Sequence, residues 1–348
     1  MEISVLRLVG IVAGACLLAV LFLRLRKSAS ERVSVWLMLI LGLALLLVAA
    51  FPSLATMPSQ LLSLGDVPAG RLITLLLLSN LLSWFVLLHE RGKRDDSHRQ
   101  FDLLVRRLAA NQLPKPTDVA DAPDVAVVIP AYNEAENLAV LLPRMPSEID
   151  GKTLQVVVVD DGSTDGTDEV ARKHGALVVT LPVNRGGGAA LRTGYDAARR
   201  LAATVIVTMD ADGQHLPEEI EALVLPTLRD EADFVIGSRI LGSSDRYSRL
   251  RLTGVVVFSR FITMLTGVRI TDCSSGFRAF RLGMVEKLRL QQDQYHTAEL
   301  IIDAAKRDFR ITERPVHIQA RLSGESKKGR NVLYALRFLR TVLTTWWR

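Results

Sequence analysis

The stretch "LQVVVVDDGSTDGTDEVARKH" (Leu154–His174) decides how the rest of the chain is read. Leu154–Val159 is a short run rich in β-branched residues, which suit a pleated, buried strand. It stops at two aspartates and a Gly-Ser-Thr-Asp-Gly turn, and Asp165–His174 then reads as an amphipathic helix. Strand, polar loop and helix form one unit, and the unit repeats. Val125–Ile129, Ala176–Thr180, Thr204–Met209 and Asp233–Ile236 read as further strands, and Ala135–Leu142, Gly188–Ala202 and Pro217–Arg229 as further helices. Such alternation predicts an α/β fold with a mostly parallel sheet and helices on both faces.

Ligands of such sheets bind beyond the carboxyl ends of the strands. In order, the strands are followed by "PAYNEAENL" (Pro130–Leu138), "DDGSTDGT" (Asp160–Thr167), "NRGGGAALRTG" (Asn184–Gly194), "DADGQH" (Asp210–His215) and "GSR" (Gly237–Arg239). Any one of these is explained by turn and capping chemistry, for which Asp165 and Asn184 are ordinary residues. A succession of five is not. Asp210 and Asp212 repel one another unless something positive lies between them. Alternation along an extended segment places Asp210, Asp212 and Gln214 on one side. Three oxygen ligands of this kind suit a hard divalent ion, Mg²⁺ or Mn²⁺. The alternative is an acidic turn capping the helix that begins at Pro217.

The chain has 348 residues, 49% of them hydrophobic, and a formal net charge of +6. Its apolar excess lies before Leu88, in runs at about 3–23, 33–51 and 72–88, each near the ~20 residues needed to cross a bilayer. Arg24, Arg26, Lys27 and Arg32 separate the first two runs, the loop Pro52–Gly70 after the second run holds no Lys or Arg, and "HERGKRDDSHRQ" follows the third. The positive-inside rule then puts the N-terminus outside and everything after Leu88 in the cytoplasm. This is the topology of an integral protein of a prokaryotic plasma membrane. Ser79, Asn80 and Ser83 read as hydrogen-bonding partners between helices or as tolerated polar groups on one helix face. Basic residues cluster at the ends of apolar segments rather than in a basic–aromatic stripe, which favours anionic headgroups and phosphorylated substrates over nucleic acid. Two distant cysteines, Cys16 and Cys273, support neither a disulfide framework nor a zinc site.

The strand-end motifs, together with "SSGFRAF" (Ser274–Phe280) and "SGESKKG" (Ser323–Gly329), resemble the family 2 glycosyltransferases of the GT-A fold, and among them the dolichyl- or polyprenyl-phosphate sugar transferases. The resemblance runs from about Val125 to Lys328. Together with the apolar runs and the polar linker, it divides the chain into an expected transmembrane domain over 1–92, a cytoplasmic helix and linker over 93–124, a catalytic domain over 125–328 and an amphipathic interfacial helix over 329–348. In that last segment Arg337, Thr341, Thr344 and Arg348 share one helical face; Leu336, Leu339, Val342, Leu343, Trp346 and Trp347 take the rest. The alternative is a helix packed on the catalytic domain.

The resemblance further implies inverting transfer of a hexose from a nucleotide sugar, of the GDP-mannose or UDP-glucose type, to a membrane-borne polyprenyl phosphate. Asp210, Asp212 and Gln214 would hold the metal. Pro130, Tyr132, Glu134 and Asp161 would line the nucleoside, Asp160 being structural or near it. Gly188 would lie beside the donor, with Arg321 and Lys327 on its phosphates. Arg239, Ser275, Arg278 and Ser326 would hold the acceptor phosphate, and Asp212, Arg239 and Arg278 would carry catalysis. Relatives commonly have Lys where this chain has Gly187, so Arg192 either replaces that charge or solvates a helix face. His296 and Glu299 read as capping residues of a helix. Sugar-polymerising relatives carry a downstream Glu-Asp and a Gln-x-x-Arg-Trp; this sequence has neither, which fits an acceptor that is already a nucleophile. Open alternatives are another lipid or lipid-linked glycan acceptor, a non-catalytic nucleotide-binding membrane scaffold, and a lipid-carrier flippase. A homo-oligomer also stays open.

Overall fold

A computed structural model describes residues 100–109, 111–113, 122–245, 249–292, 295–321 and 332–347, with scattered helical positions between 43 and 90. The chain divides into two compact units, Met1–Arg99 and Gln100–Arg348. Among the described residues no helix is long and apolar enough to cross a membrane. The runs 3–23, 33–51 and 72–88 lie almost wholly outside the described residues. In the first unit, Ser79 Oγ and Asn80 Nδ2 donate to Leu76 O and Ser83 Oγ to Ser79 O. Among the described residues, these hydroxyls and this amide therefore bond back to the preceding turn of their own helix.

The second unit is built on an eight-stranded mixed sheet. Its strands are β1 (Val125–Ala131), β2 (Glu148–Ile149), β3 (Lys152–Asp160), β4 (Leu177–Thr180), β5 (Val205–Thr208), β6 (Phe234–Ser244), β7 (Arg278–Arg281) and β8 (Ile311–Ile318). The order is β2-β3-β1-β5-β7-β6-β8, with β4 also paired to β3. The five predicted strands are all present, and β4, β3, β1 and β5 run parallel. The sequence reading missed β7, which inserts antiparallel between β5 and β6. It also missed β8, which extends the sheet parallel to β6.

Helices α1 (Ala135–Leu141), α2 (Thr167–Lys173), α3 (Gly187–Arg200) and α4 (Ile220–Leu228) match the expected ones to within two residues, a 3₁₀ turn at Pro217–Glu219 leading into α4. Beyond them come α5 (Arg249–Thr266), α6 (Leu282–Val285), α7 (His296–Lys306) and α8 (Val332–Trp347). Strand alternation feeds two cores. On one face Val128, Val159, Ile206 and Phe280 pack with Leu191 and Tyr195 of α3; on the other Val127, Ile129, Val158 and Val207 pack with Leu138 and Leu223. Adjacent residues of one strand thus point to opposite cores, as period-two geometry requires.

Helix α8 docks on the second unit. Phe338, Thr341, Val342 and Thr345 are buried, and the Phe338 ring meets Phe258 of α5 and Tyr295 beside α7. Thr341 is therefore not on a solvated face with Arg337. The i, i+3, i+4, i+7 row from Phe338 forms the contact. Arg337, Arg340, Leu343, Thr344 and Trp347 stay exposed, Trp347 to 91%.

One close approach sets how α3 lies on the sheet. A Cβ at Gly194 would stand 2.1 Å from Val128 Cγ1 of β1 and 3.2 Å from Val159 Cγ2 of β3. Gly194→Ala is expected to cost about 1–3 kcal/mol by overpacking, read as a lower denaturant midpoint with unchanged slope; an unchanged midpoint contradicts this packing.

Candidate functional site

Strand register brings the motifs together. Ala131 pairs with Asp160, and Met209 N donates to Val128 O, so the chain leaves β1, β3 and β5 at neighbouring points of one sheet edge. The loops after β1 and β3 interlock. Asn133 N donates to Ser163 Oγ, Thr164 N to Asn133 Oδ1, Glu134 N to Thr167 Oγ1 and Ala135 N to Asp165 Oδ2. Asp165 thus serves the start of α1 as well as its own turn. Asp160 Oδ1 accepts Ser163 N, the structural role left open for it.

Asp161 is buried, and its carboxylate accepts Arg185 N at 2.8 Å and Gly186 N at 2.7 Å. It clamps the backbone that enters the Gly186–Gly188 run, and Gly188 is buried in the first turn of α3. Gly162 allows the approach: its φ is +76° and a Cβ would lie 3.0 Å from Asn184 N. Arg192 does not solvate a helix face. It is buried, donates to Gln292 O and lies 3.7 Å from Asp102.

After β5 the chain turns instead of continuing extended, Gly213 taking φ +72°. The alternation argument for Asp210, Asp212 and Gln214 therefore fails, but a turn still gathers the two acids. Asp212 is 5% exposed; its Oδ1 accepts Gln214 N and its Oδ2 accepts Arg321 Nη2 at 2.7 Å. Arg321 Nη1 is 3.8 Å from Glu134 Oε1, so one guanidinium lies between two carboxylates from different strand ends. Gln214 is tied to the exit of β8: its Nε2 donates to Gln319 O and its backbone O accepts Gln319 N. His215, which sequence reasoning passed over, braces this turn. It is buried, stacks on Phe277 with ring centroids 4.8 Å apart, and accepts Asp210 N at Nδ1.

Among the described residues no group of three or more His, Cys, Asp or Glu side chains is arranged to hold a metal. The donor set nevertheless fits a hard divalent ion that takes few protein ligands and completes its shell with phosphate and water. Asp210 and Asp212 supply two carboxylates on one turn. A Cβ at residue 276 would fall 2.9 and 3.0 Å from the Asp210 oxygens, so Gly276 keeps that carboxylate uncrowded.

The arginines divide by environment. Arg239 Nε donates to the buried Asp272, and its Nη2 is 3.4 Å from Ser274 Oγ. Glu313 accepts Thr271 N and Asp272 N and so fixes that partner. Arg278 does not present an open face to a ligand. It is buried to 2% exposure under Phe234 and donates to Ser275 O, Thr297 O and Cys273 O. Burial lowers its pKa to about 10, against the pull of Tyr195 and Asp272. Ser275 is likewise buried, its Oγ accepting Phe277 N. Glu299 is wholly buried and accepts Gln291 N and Gln292 N, so it secures the loop that precedes its helix, and among the described residues the N-cap Tyr295 makes no side-chain cap bond to α7. Pro130 and Tyr132 are half-buried at the end of β1. Ser326 and Lys327 lie outside the described residues.

Burial raises the Asp161 pKa, and the bonds from Arg185 N and Gly186 N only partly offset it. A raised carboxylate pKa means that the proton returns at a higher pH than usual. The Arg185 and Gly186 amide resonances are therefore expected to titrate with a midpoint above the ordinary ~3.9 of Asp, and a midpoint at or below that value contradicts the assigned burial.

Comparison with known proteins adds the family. Residues 126–289 match the model described as glycosyl transferase family 2. The polyprenol monophosphomannose synthase of Mycolicibacterium smegmatis is 35% identical over 240 residues, which are 64% of this chain and 87% of that protein. The dolichyl-phosphate hexose transferase of Haloferax volcanii is 34% identical over 204 residues, 59% of this chain and 86% of that protein. Among solved structures, glucosyl-3-phosphoglycerate synthase of Mycobacterium tuberculosis, in complex with Mn²⁺, UDP-glucose and phosphoglyceric acid, superposes with a TM-score of 0.51. It is 22% identical, over 64% of this chain and 80% of that one, and shares the GT-A fold. A family match across the sheet-end motifs, with relatives this similar over most of their own lengths, makes this chain a member of glycosyl transferase family 2 and a glycosyltransferase.

Proposed function

We propose that the protein transfers a hexose from a nucleotide sugar to a polyprenyl phosphate at a membrane surface, with inversion at the anomeric carbon. The observation that carries this reading is the charge arrangement at one sheet edge. Acids that follow β1 and β5 share Arg321, and the glycine loop clamped by Asp161 follows β4, whose end pairs with the end of β3. The likeness to a mycobacterial polyprenol monophosphomannose synthase and a haloarchaeal dolichyl-phosphate hexose transferase supports the acceptor class.

In this reading Pro130, Tyr132, Glu134 and Asp161 line the nucleoside, and Gly188 lets the backbone approach the donor. Asp210 and Asp212 would hold Mg²⁺ or Mn²⁺, which when bound offsets the charge that develops on the departing nucleoside diphosphate. Arg321 releases Asp212 and turns to the diphosphate, where Lys327 joins it. A polyprenyl monophosphate has a second pKa near ~6 and is largely dianionic at neutral pH. Its oxygen attacks the anomeric carbon in line, opposite the leaving diphosphate, and no side chain has to remove a proton. Arg239 holds the acceptor phosphate by charge-assisted bonds, with Ser326 beside it. Arg278 and Ser275 shape the turn from Cys273 that aims this edge, a positioning role in place of the contact expected from sequence.

The membrane arrangement belongs to the same proposal. The three apolar runs would span a bilayer with the catalytic unit in the cytoplasm. The described Leu76, Trp84 and Leu87, exposed in their own unit, suit lipid contact. On α8 the exposed Arg337, Arg340, Leu343 and Trp347 suit the headgroup layer.

The test offers the whole chain a polyprenyl phosphate and a panel of radiolabelled nucleotide sugars, with and without Mn²⁺. One nucleotide sugar is expected to label the lipid in a metal-dependent way. Asp212→Asn is expected to lower the rate by about 100-fold or more. Full activity of that variant, or label passing only to another lipid or glycan, overturns the proposal.

A further inference from the structure

The segment 100–113, "QFDLLVRRLAANQL", lies before the residues that match the family, yet it is packed into the catalytic unit. Ala109 and Leu113 are buried in the same core as Leu191 and Tyr195 of α3. Gln112 closes a pair of bonds with the backbone of Thr180: its Nε2 donates to Thr180 O and its Oε1 accepts Thr180 N. It thereby continues the open edge of β4 with a side-chain amide. At the far end of α3, Arg200 donates to Leu113 O and Asn111 Oδ1.

The N-terminal half of the segment reaches the donor loop. Asp102 Oδ1 accepts Arg185 Nη2 at 2.9 Å, and the Asp102 carboxylate lies 3.1 Å from Arg106 and 3.7 Å from Arg192. Arg106 is 3.4 Å from Asp196 further along α3. The Arg185 guanidinium also lies over the Phe101 ring, 5.4 Å from its centroid. Asp102, Arg185, Arg192 and Arg106 are all at most 20% exposed in their side chains, so this network is shielded from screening by bulk water.

Arg185 is therefore gripped at both ends. Asp161 takes its backbone N–H and Asp102 its guanidinium. Its sequence neighbours Pro182, Val183 and Asn184 are exposed, so these two carboxylates and Phe101 hold a loop that has little burial of its own. We propose that Asp102 is a positioning residue for the nucleotide-sugar loop. By fixing Arg185, the segment 100–113 pre-organises the backbone amides of Gly186–Gly188 and sets the affinity for the donor. Pre-organisation of a binding loop strengthens binding by removing the ordering cost from the binding step. This inference rests on the donor-site reading above, and it assigns control of that site to a segment outside the family's matched region.

The test measures UDP and GDP binding to the whole chain by calorimetry with Mg²⁺, and donor and acceptor KM with kcat where transfer is observed. Asp102→Asn is expected to weaken nucleotide binding and raise donor KM about five-fold or more, with kcat and acceptor KM near wild type. Asp102→Glu, which keeps the charge, is expected to recover most of the loss. Should Asp102→Asn fail to fold, Arg185→Gln asks the same question from the loop side and predicts the same donor-specific weakening. Unchanged nucleotide binding in a folded variant, or a uniform loss of kcat, both KM values and Tm that glutamate does not relieve, overturns the inference and leaves the transferase reading intact. Failure of the wild-type chain to bind either nucleotide overturns the donor-site reading itself, and this inference with it.

Discussion

Negative charge concentrated beyond β5 is the constraint on which the rest of the site depends. Asp212 is almost fully buried, and a buried carboxylate stays ionised only with a charged or hydrogen-bonding partner. Arg321 is that partner, arriving from the end of β8 and reaching also toward Glu134 beyond β1. Three strand ends are thereby tied by one cation. The turn that carries the acids is held independently, by His215 beneath it and by Gln214 against Gln319. The backbone is thus fixed, while the charge balance depends on a long, partly exposed side chain that another cation can replace. That balance is what the proposed function uses, a divalent ion and an anionic ligand taking the place of Arg321.

Placement separates arginines that look alike in sequence. Arg278 stands in a Gly-Phe-Arg motif beside the acids, yet three backbone carbonyls take its donors and its role is to hold a turn. Arg239 sits at a strand end with a buried carboxylate partner that is itself fixed from β8 by Glu313. Its orientation is set before any ligand arrives, which favours recognition of an oxyanion at a defined point. Arg321 has the freest surroundings of the three. This ordering, from framework to fixed contact to exchangeable counter-ion, follows from burial and could not be read from residue type.

Much of the architecture was legible because strand and helix periods are local. The runs of valine and isoleucine gave five strands, and glycine- and aspartate-rich ends marked the sheet edge where the candidate site lies. What escaped was set by distant contacts. Strand β7 is four residues long and carries two arginines, Arg278 and Arg281, so nothing in its own pattern marks an inserted antiparallel strand. Strand β8 contains Pro315 and shows little alternation. The Asp-x-Asp pair was singled out by an alternation that the structure does not have, since Gly213 turns the backbone that alternation assumed to be straight. On α8 the apolar and polar residues are spaced as a membrane-surface helix would have them, yet Thr341 and Thr345 pack inward with Phe338 because α5 and α7 offer a surface there. Asp102 carried no signal at all. Its partners at the donor loop and on α3, Arg185 and Arg192, lie 83 and more residues away.

The central claim is that the carboxylates after β5 form a cation site completed by a nucleoside diphosphate. Electron paramagnetic resonance of Mn²⁺ with the whole chain, with and without UDP or GDP, tests it most directly. The account predicts one bound Mn²⁺ per chain that tightens when the cognate nucleotide is added and is lost in the Asp210→Asn/Asp212→Asn double variant. Mn²⁺ binding that ignores the nucleotide, or that survives the double variant unchanged, would contradict it.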